Sequence, residues 1–188
     1  VVVLRFSGTP RDGHGHHQAS AILGKEAYAA AADPKRFPEQ LTSVKPWQAK
    51  RLLWNVANFG GNNQGPEPAS PIVNDLGEFD PLLGFSYSEL SGVSRSQHRS
   101  QAMGSAERKG SVKNELTVIG GDPAKTDLLD GVDTTWRRLP GGAAVGSAMD
   151  EAVAQFDMLA PHKMLPALAK ARTAAAAINA PLAKYKLE

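Results

Sequence analysis

The order of three local patterns in the first 34 residues is the strongest constraint on the fold. Residues 1–6 form a largely apolar, β-branched run that predicts a strand, and residues 7–13 form a loop rich in turn-forming residues. From His16, apolar residues recur three and four positions apart until Asp33 and Pro34 end the pattern, which predicts a helix. A strand, a polar loop and a helix in this order predict a β-loop-α unit. In open α/β sheets, such units place the loop at the carboxyl ends of the strands, where ligands usually bind.

The middle of the chain predicts further strands. Residues 50–56 predict a strand that follows the helix back into the same sheet, which makes the connection βαβ-like, and residues 116–119 predict another. Residues 60–71 are rich in Gly, Asn, Pro and Ser and predict a surface loop. Residues 72–85 fit neither pattern clearly. The fold class indicated is therefore α/β.

Helical patterns dominate the remainder. Residues 91–103 predict a short helix that ends at Gly104. Apolar residues at helical spacing predict three more helices, at 128–139, 143–156 and 165–178. We therefore divide the chain into an α/β part at 1–122 and a small helical extension at 123–188.

The composition excludes several classes of protein. The chain has no Cys, so any transition-metal site must be built from imidazole and carboxylate groups. The net charge is +2 and no basic stripe is visible, which argues against nucleic acid as a partner. No apolar run approaches the roughly 18 residues that a transmembrane helix needs. Of the 188 residues, 28 are Ala and 18 are Gly, so we expect a modest core.

Three of the five histidines lie together, at His14, His16 and His17, where the loop meets the helix. Neutral imidazole is the commonest metal ligand, and the positive end of a helix dipole favours the neutral form. His14 and His17 are three residues apart, so both can face one cavity if the loop turns into helix between them, and Asp12 is a possible site-lining residue. The loop can give one or two ligands, whereas a catalytic zinc takes three from the protein. A solvated loop without a ligand is the alternative interpretation.

A resemblance to a known family rests on three consecutive segments. They are the first strand, the loop that ends in His14, Gly15, His16 and His17, and the helix of small residues that begins at Gln18. They resemble the second metal-binding motif of the PIG-L (LmbE-like) deacetylases, which usually reads His-Pro-Asp-His. Further tracts are similar to a subgroup of large bacterial members, so the resemblance covers most of the chain. These tracts lie at 36–40, 45–48, 94–101 and 133–136.

The resemblance implies a zinc-dependent hydrolase that removes an N-acetyl group from an amino sugar or a similar small-molecule amide. It implies a partial Rossmann-like sheet with helices for 1–122. His17 matches the metal ligand that closes the motif, and His14 matches the histidine that stabilises the oxyanion. His98 and Gln101 match a His-x-Ser-Gln helix of the family and are possible site-lining residues. Large members often look exported, which favours an extracytoplasmic location.

Two departures from the family pattern matter. Gly15 and His16 replace the usual Pro-Asp, so His16 is either a polar orienting group or a ligand. The family's first motif, His-Pro-Asp-Asp, supplies two metal ligands and the general base, and it is absent from this sequence. We expect that motif upstream of Val1. The chain would then be the C-terminal half of a deacetylase domain, active in its parent and inactive alone.

A second hypothesis is a relative that has lost catalysis and binds carbohydrate. Trp54 lies in a predicted strand and Trp136 on a predicted helix, so core packing is the favoured role for both. Trp47 follows Pro46 in a predicted loop and is the better candidate for a surface role. The substrate, the identity of the metal and the oligomeric state are not determined by the sequence.

Overall fold

A computed structural model describes residues 1–56, 72–101 and 104–179 of the chain. The predicted loop at 60–71 and the predicted helix end at 102–103 lie outside the described residues. The chain divides into two compact units, Val1–Asp130 and Gly131–Glu188. The described residues form an α/β structure with a mixed four-stranded sheet, a two-stranded sheet and four α-helices. The proposed division at 122/123 stays a prediction.

The first unit contains both sheets and two of the helices. Its elements, in chain order, are β1 (Val2–Leu4), α1 (Gly15–Ala30), β2 (Arg51–Val56), β3 (Ile72–Asp75), β4 (Phe79–Asp80), β5 (Phe85–Ser86), α2 (Tyr87–Ser96) and β6 (Lys113–Gly121). The main sheet has the order β1-β2-β6-β3, and β4 pairs with β5. The predicted strands and the predicted first helix are confirmed. Residues 72–85, which fitted neither pattern, contain three short strands.

The β1-α1-β2 connection joins two parallel strands, with Val3 opposite Leu53, so the βαβ-like prediction is confirmed. In contrast, β6 runs antiparallel to both β2 and β3. The carboxyl ends of β1, β2 and β3 and the beginning of β6 therefore lie along one edge of the sheet.

Close contact between α1 and the sheet depends on small residues. Ala21 is buried on α1, and a Cβ atom at Gly24 would lie 2.5 Å from the Cδ2 atom of Leu4. Tyr28 extends across to the end of β6, where a Cβ at Gly121 would lie 2.4 Å from its hydroxyl. Alanine and glycine on this face let the helix backbone lie near the strands.

The core of the first unit is centred on β2. Leu53 is fully buried and packs with Ile72 of β3 and Leu116 of β6, while Val1, Val118, Ala124 and Leu128 complete the cluster. Residues Arg51 to Asn55 are all buried, so β2 is covered on both faces. A strand with two covered faces is rich in apolar residues, here Leu52, Leu53 and Trp54.

Arg51 joins this core to the segment 122–130. The residue is 1% exposed, and its guanidinium donates hydrogen bonds to the carbonyls of Asp122, Pro123, Leu128 and Asp130 at 2.6 to 3.2 Å. Arginine suits this position because its planar fork carries five N–H donors. The guanidinium therefore fixes the main chain of this segment against the sheet.

The predicted helix at 128–139 is wrong in extent. Residues 136–138 form a single 3-10 turn, capped by the Thr135 side chain, and the rest of the range is not helical. The Arg51 hydrogen bonds hold 128–130 in a loop, and the Asp130 carboxylate accepts hydrogen bonds from the amides of Lys125 and Thr126 at 2.8 and 3.0 Å. The apolar spacing in this range reflects packing of separate residues rather than a helix.

The predicted helix at 91–103 is shifted. A capping box at Ser86 and Glu89 starts α2 at Tyr87, earlier than predicted. The helix ends at Ser96, whose hydroxyl donates to the carbonyl of Gly92 at 2.8 Å. A 3-10 turn follows at Arg99–Gln101.

The second unit contains α3 (Ala143–Ala154) and α4 (Leu165–Ala176), which confirms the last two predicted helices. Their core holds Val145, Ala175 and Ile178, with Trp136 packed against it. Small residues on both helices are buried at the contact, namely Ala148, Ala152, Ala167 and Ala171. Within the described part of the chain, no helix is long and apolar enough to cross a membrane.

Candidate functional site

Asp12 organises the loop between β1 and α1. The residue is 2% exposed, and its carboxylate accepts hydrogen bonds from the amides of Ser7, Gly8 and Thr9 at 2.8, 2.7 and 3.2 Å. The hydroxyl of Ser7 adds a fourth, at 2.8 Å. Asp12, a predicted site-lining residue, thus holds the loop that carries the histidines.

These hydrogen bonds determine the charge of Asp12. Burial of the carboxyl raises its pKa, but the donors of Ser7, Gly8 and Thr9 outweigh burial and hold the pKa below its ordinary value. The carboxylate is therefore ionised at neutral pH, as its four donors require.

We expect Asp12 to make the folded protein sensitive to acid. Because the pKa is lower in the folded than in the unfolded chain, its contribution is complete above the unfolded value of about 4 and is lost as the pH falls through the folded value. Urea unfolding of the wild type and of Asp12→Asn at several pH values tests this. The variant should lose less stability than the wild type between about pH 5 and pH 3.

Other carboxylates keep part of the acid sensitivity in that variant, because their pKa values are also lowered, that of Asp130 to about 2 through hydrogen bonds from Thr126 and Lys125. Equal pH slopes for the two proteins would contradict the role given to Asp12.

His17 is held in one orientation by the loop. Its Nδ1 lies 2.7 Å from the carbonyl oxygen of Asp12, and its ring stacks on Phe6 with centroids 3.9 Å apart and planes 13° apart. A carbonyl only accepts, so Nδ1 carries the proton and, in the neutral ring, Nε2 carries the lone pair. Metal-binding histidines are oriented by this kind of hydrogen bond.

His14 and His16 extend this cluster. The rings of His14 and His17 have centroids 3.7 Å apart and are tilted by 33°, and the rings of His14 and His16 meet edge to face at 5.7 Å. His14 is the residue before α1, and both His14 and His16 are exposed while His17 is half-buried. The structure thus brings the three predicted loop histidines together.

The described residues do not by themselves form a zinc site. No group of three or more His, Asp and Glu side chains in the described ranges is placed to hold a metal ion. The rings of His14 and His17 pack against one another, tilted by 33°. A catalytic zinc takes three protein ligands, so further ligands would be needed beside this loop.

A row of polar side chains crosses the same edge of the sheet. Arg5, which follows β1, donates to Asn55 of β2, and Asn55 donates to the side chain of Asn114 and to the carbonyl of Glu115 on β6. Desolvation and the charge of Arg95 lower the pKa of Arg5. We did not predict this row, although an arginine at the end of an apolar strand and an asparagine within a buried one were visible signals.

His98 and Gln101 lie after α2 at the surface. Nε2 of His98 is 2.8 Å from Oε1 of Gln101, so the structure brings these two predicted residues into contact with each other.

Comparisons with known proteins do not identify the chain. No family model matches it, and neither the curated proteins nor the solved structures contain a significant match.

Proposed function

We propose that the chain is part of a zinc-dependent N-acetyl hydrolase of the PIG-L (LmbE-like) type, acting on an N-acetylated amino sugar or a related amide. In this proposal the β1-α1-β2 unit belongs to a Rossmann-like sheet, and 123–188 is a helical extension. The placement of the histidine cluster after a strand that lies parallel to its neighbour supports the proposal, because ligands of α/β proteins bind at that edge.

The orientation of His17 carries the proposal. Its Nδ1 donates to the Asp12 carbonyl, and Asp12 in turn is held by four donors of the loop. The loop therefore fixes the direction of Nε2, as an oriented metal ligand requires. The remaining ligands would come from groups outside the described residues.

His14 is proposed to stabilise the oxyanion. Its ring is exposed beside that of His17, so a substrate carbonyl can approach it. A ring N–H placed where negative charge develops favours the tetrahedral intermediate over the bound amide. His16 is exposed at the edge of the same cluster and can orient the substrate.

We expect His17→Ala to abolish stoichiometric zinc binding in the complete gene product and to lower the deacetylation rate at least about 100-fold. Elemental mass spectrometry measures the zinc content. Acetate release from N-acetylglucosamine derivatives measures the deacetylation rate. His162→Ala replaces an exposed histidine with no predicted site role and should leave both unchanged. Unchanged zinc content and rate in His17→Ala would contradict the proposal.

A carbohydrate-binding relative without catalysis is the second candidate. Its support is the departure from the family pattern at Gly15 and His16. Calorimetry on the complete gene product separates the two functions. The second candidate predicts heat from sugar binding and no stoichiometric uptake of zinc.

A further inference from the structure

A groove at the carboxyl-terminal end of α1 lies apart from the histidine loop. Its volume is about 330 Å³, and it is lined by alanines at the end of α1. Residues that follow the helix also line it, among them Arg36, Phe37, Gln40, Leu41 and Trp47. This volume is at the lower end of the range for small-ligand sites, roughly 300–1,000 Å³.

Two aromatic rings in the groove are left largely open to solvent. Trp47 is 60% exposed and Phe37 is 52% exposed. The main-chain N–H of Trp47 donates to the carbonyl of Ala31 at 2.8 Å, which fastens this part of the chain to the end of α1. The exposed indole therefore projects from a fixed backbone position.

Phe37 has a strained backbone. Its φ of 51° makes it the one non-glycine residue with positive φ among those that the structure describes, and Pro38 follows it. This conformation costs about 1–2 kcal/mol for an L-residue. The guanidinium of Arg36 lies over the Phe37 ring, 5.4 Å from its centroid. Strained backbone conformations cluster at ligand-binding positions, so the conformation of Phe37 supports a ligand contact at this residue.

The polar groups of the groove indicate the chemistry of the ligand. Asp33 supplies a carboxylate, Arg36 and Lys45 supply cations, and Gln40 can both donate and accept. Charges of both signs do not favour a strongly charged ligand. Aromatic rings beside mixed donors and acceptors suit the C–H faces and the hydroxyl groups of a sugar.

We propose that this groove binds a short chain of N-acetylated amino sugars. The choice of sugar rests on the proposed function, whereas the groove itself does not. The 16 residues of α1 span about 24 Å between the groove and the histidine loop. A sugar chain must therefore be several units long to contact both, and the groove is a binding site separate from the reacting group.

The test uses the indole N–H signals of the three tryptophans in a proton–nitrogen NMR spectrum, with the N-acetylglucosamine tetramer as the probe. The Trp47 signal is assigned as the one that is missing from the spectrum of Trp47→Phe. As the tetramer is added, this signal should shift until it saturates, with a dissociation constant of about 1 mM. The signals of Trp54 and Trp136 should not shift.

Variants locate the binding. Trp47→Ala and Phe37→Ala should each weaken tetramer binding at least tenfold by calorimetry. Phe79→Ala removes a ring of equal exposure, 52%, that does not line the groove, and should have no effect. Equal melting temperatures for the variants and the wild type exclude unfolding as the cause.

Three results would overturn the proposal: no shift of the Trp47 signal at 10-fold the expected dissociation constant, unchanged binding in Trp47→Ala, or a stronger response to decanoate than to the sugar. The two proposals fail independently. A shift of the Trp47 signal without any deacetylation would contradict the proposed enzyme activity and support the sugar-binding groove. Deacetylation without a shift of the Trp47 signal would support the activity and contradict the groove.

Discussion

Replacing Arg51 by methionine should lower the free energy of unfolding by about 3–5 kcal/mol. The guanidinium is almost fully buried and supplies the donors for four main-chain carbonyls of the 122–130 segment. Methionine fills much of the same space but donates no hydrogen bond. The four carbonyls must then accept hydrogen bonds from water or remain without a donor, and this lowers the free energy of unfolding. Urea unfolding followed by circular dichroism measures it.

Lys50→Met is the matched control for Arg51→Met. Lys50 is the preceding residue and pairs with the Asp122 carboxylate at 3.0 Å, but both side chains are exposed. An exposed ion pair contributes less than about 1 kcal/mol. Hydrogen exchange adds a local measurement, because Arg51→Met should remove protection within 122–130 before it affects the centre of β2. Similar losses of stability in the two variants would show that the buried hydrogen bonds contribute little.

Asp12→Ala is expected to cost about 3 kcal/mol, because it leaves three main-chain amides and a hydroxyl without their common acceptor. The loop should also release His17, since the carbonyl that accepts from its ring belongs to Asp12. Chemical unfolding gives the stability, and the imidazole NMR signals of His17 report its orientation. We expect the ring signals to move toward those of a solvated histidine.

Asp133→Ala provides the comparison for Asp12→Ala. The Asp133 carboxylate accepts from the amide and the hydroxyl of Thr135 at 2.8 and 2.7 Å, but it is exposed. Water can replace it, so the expected loss is below about 1 kcal/mol. An Asp12→Ala protein that is as stable as Asp133→Ala, with His17 unmoved, would contradict the role of the buried carboxylate.

The sequence predicted those parts of the fold that depend on local pattern. The first strand, its loop and α1 were predicted because apolar spacing and turn residues act over a few positions. The antiparallel course of β6 was not predicted, because pairing with β2 joins residues 59 to 70 positions apart. The helix predicted at 128–139 was wrong in extent, because buried hydrogen bonds from Arg51 hold residues 128–130 in a loop.

The candidate site was predicted in part for the same reason. The three loop histidines lie within four residues of the sequence, and their rings are in contact in the structure. The support that Asp12 gives them could not be read from spacing alone, since a carboxylate near histidines also suits a ligand. The Arg5 to Asn55 contact depends on two strands lying side by side, which only the folded sheet provides.

The Arg51 contacts also bear on the order in which the chain folds. They join groups that are 71 to 79 residues apart, and Asp122 comes within reach only after Arg51 of β2 has paired with Gly121 of β6. We therefore expect residues 122–130 to close over the sheet after the strands have paired. Interactions that form late change the unfolding rate more than the folding rate. We therefore expect the loss of Arg51 to speed unfolding of the sheet while leaving its folding rate nearly unchanged.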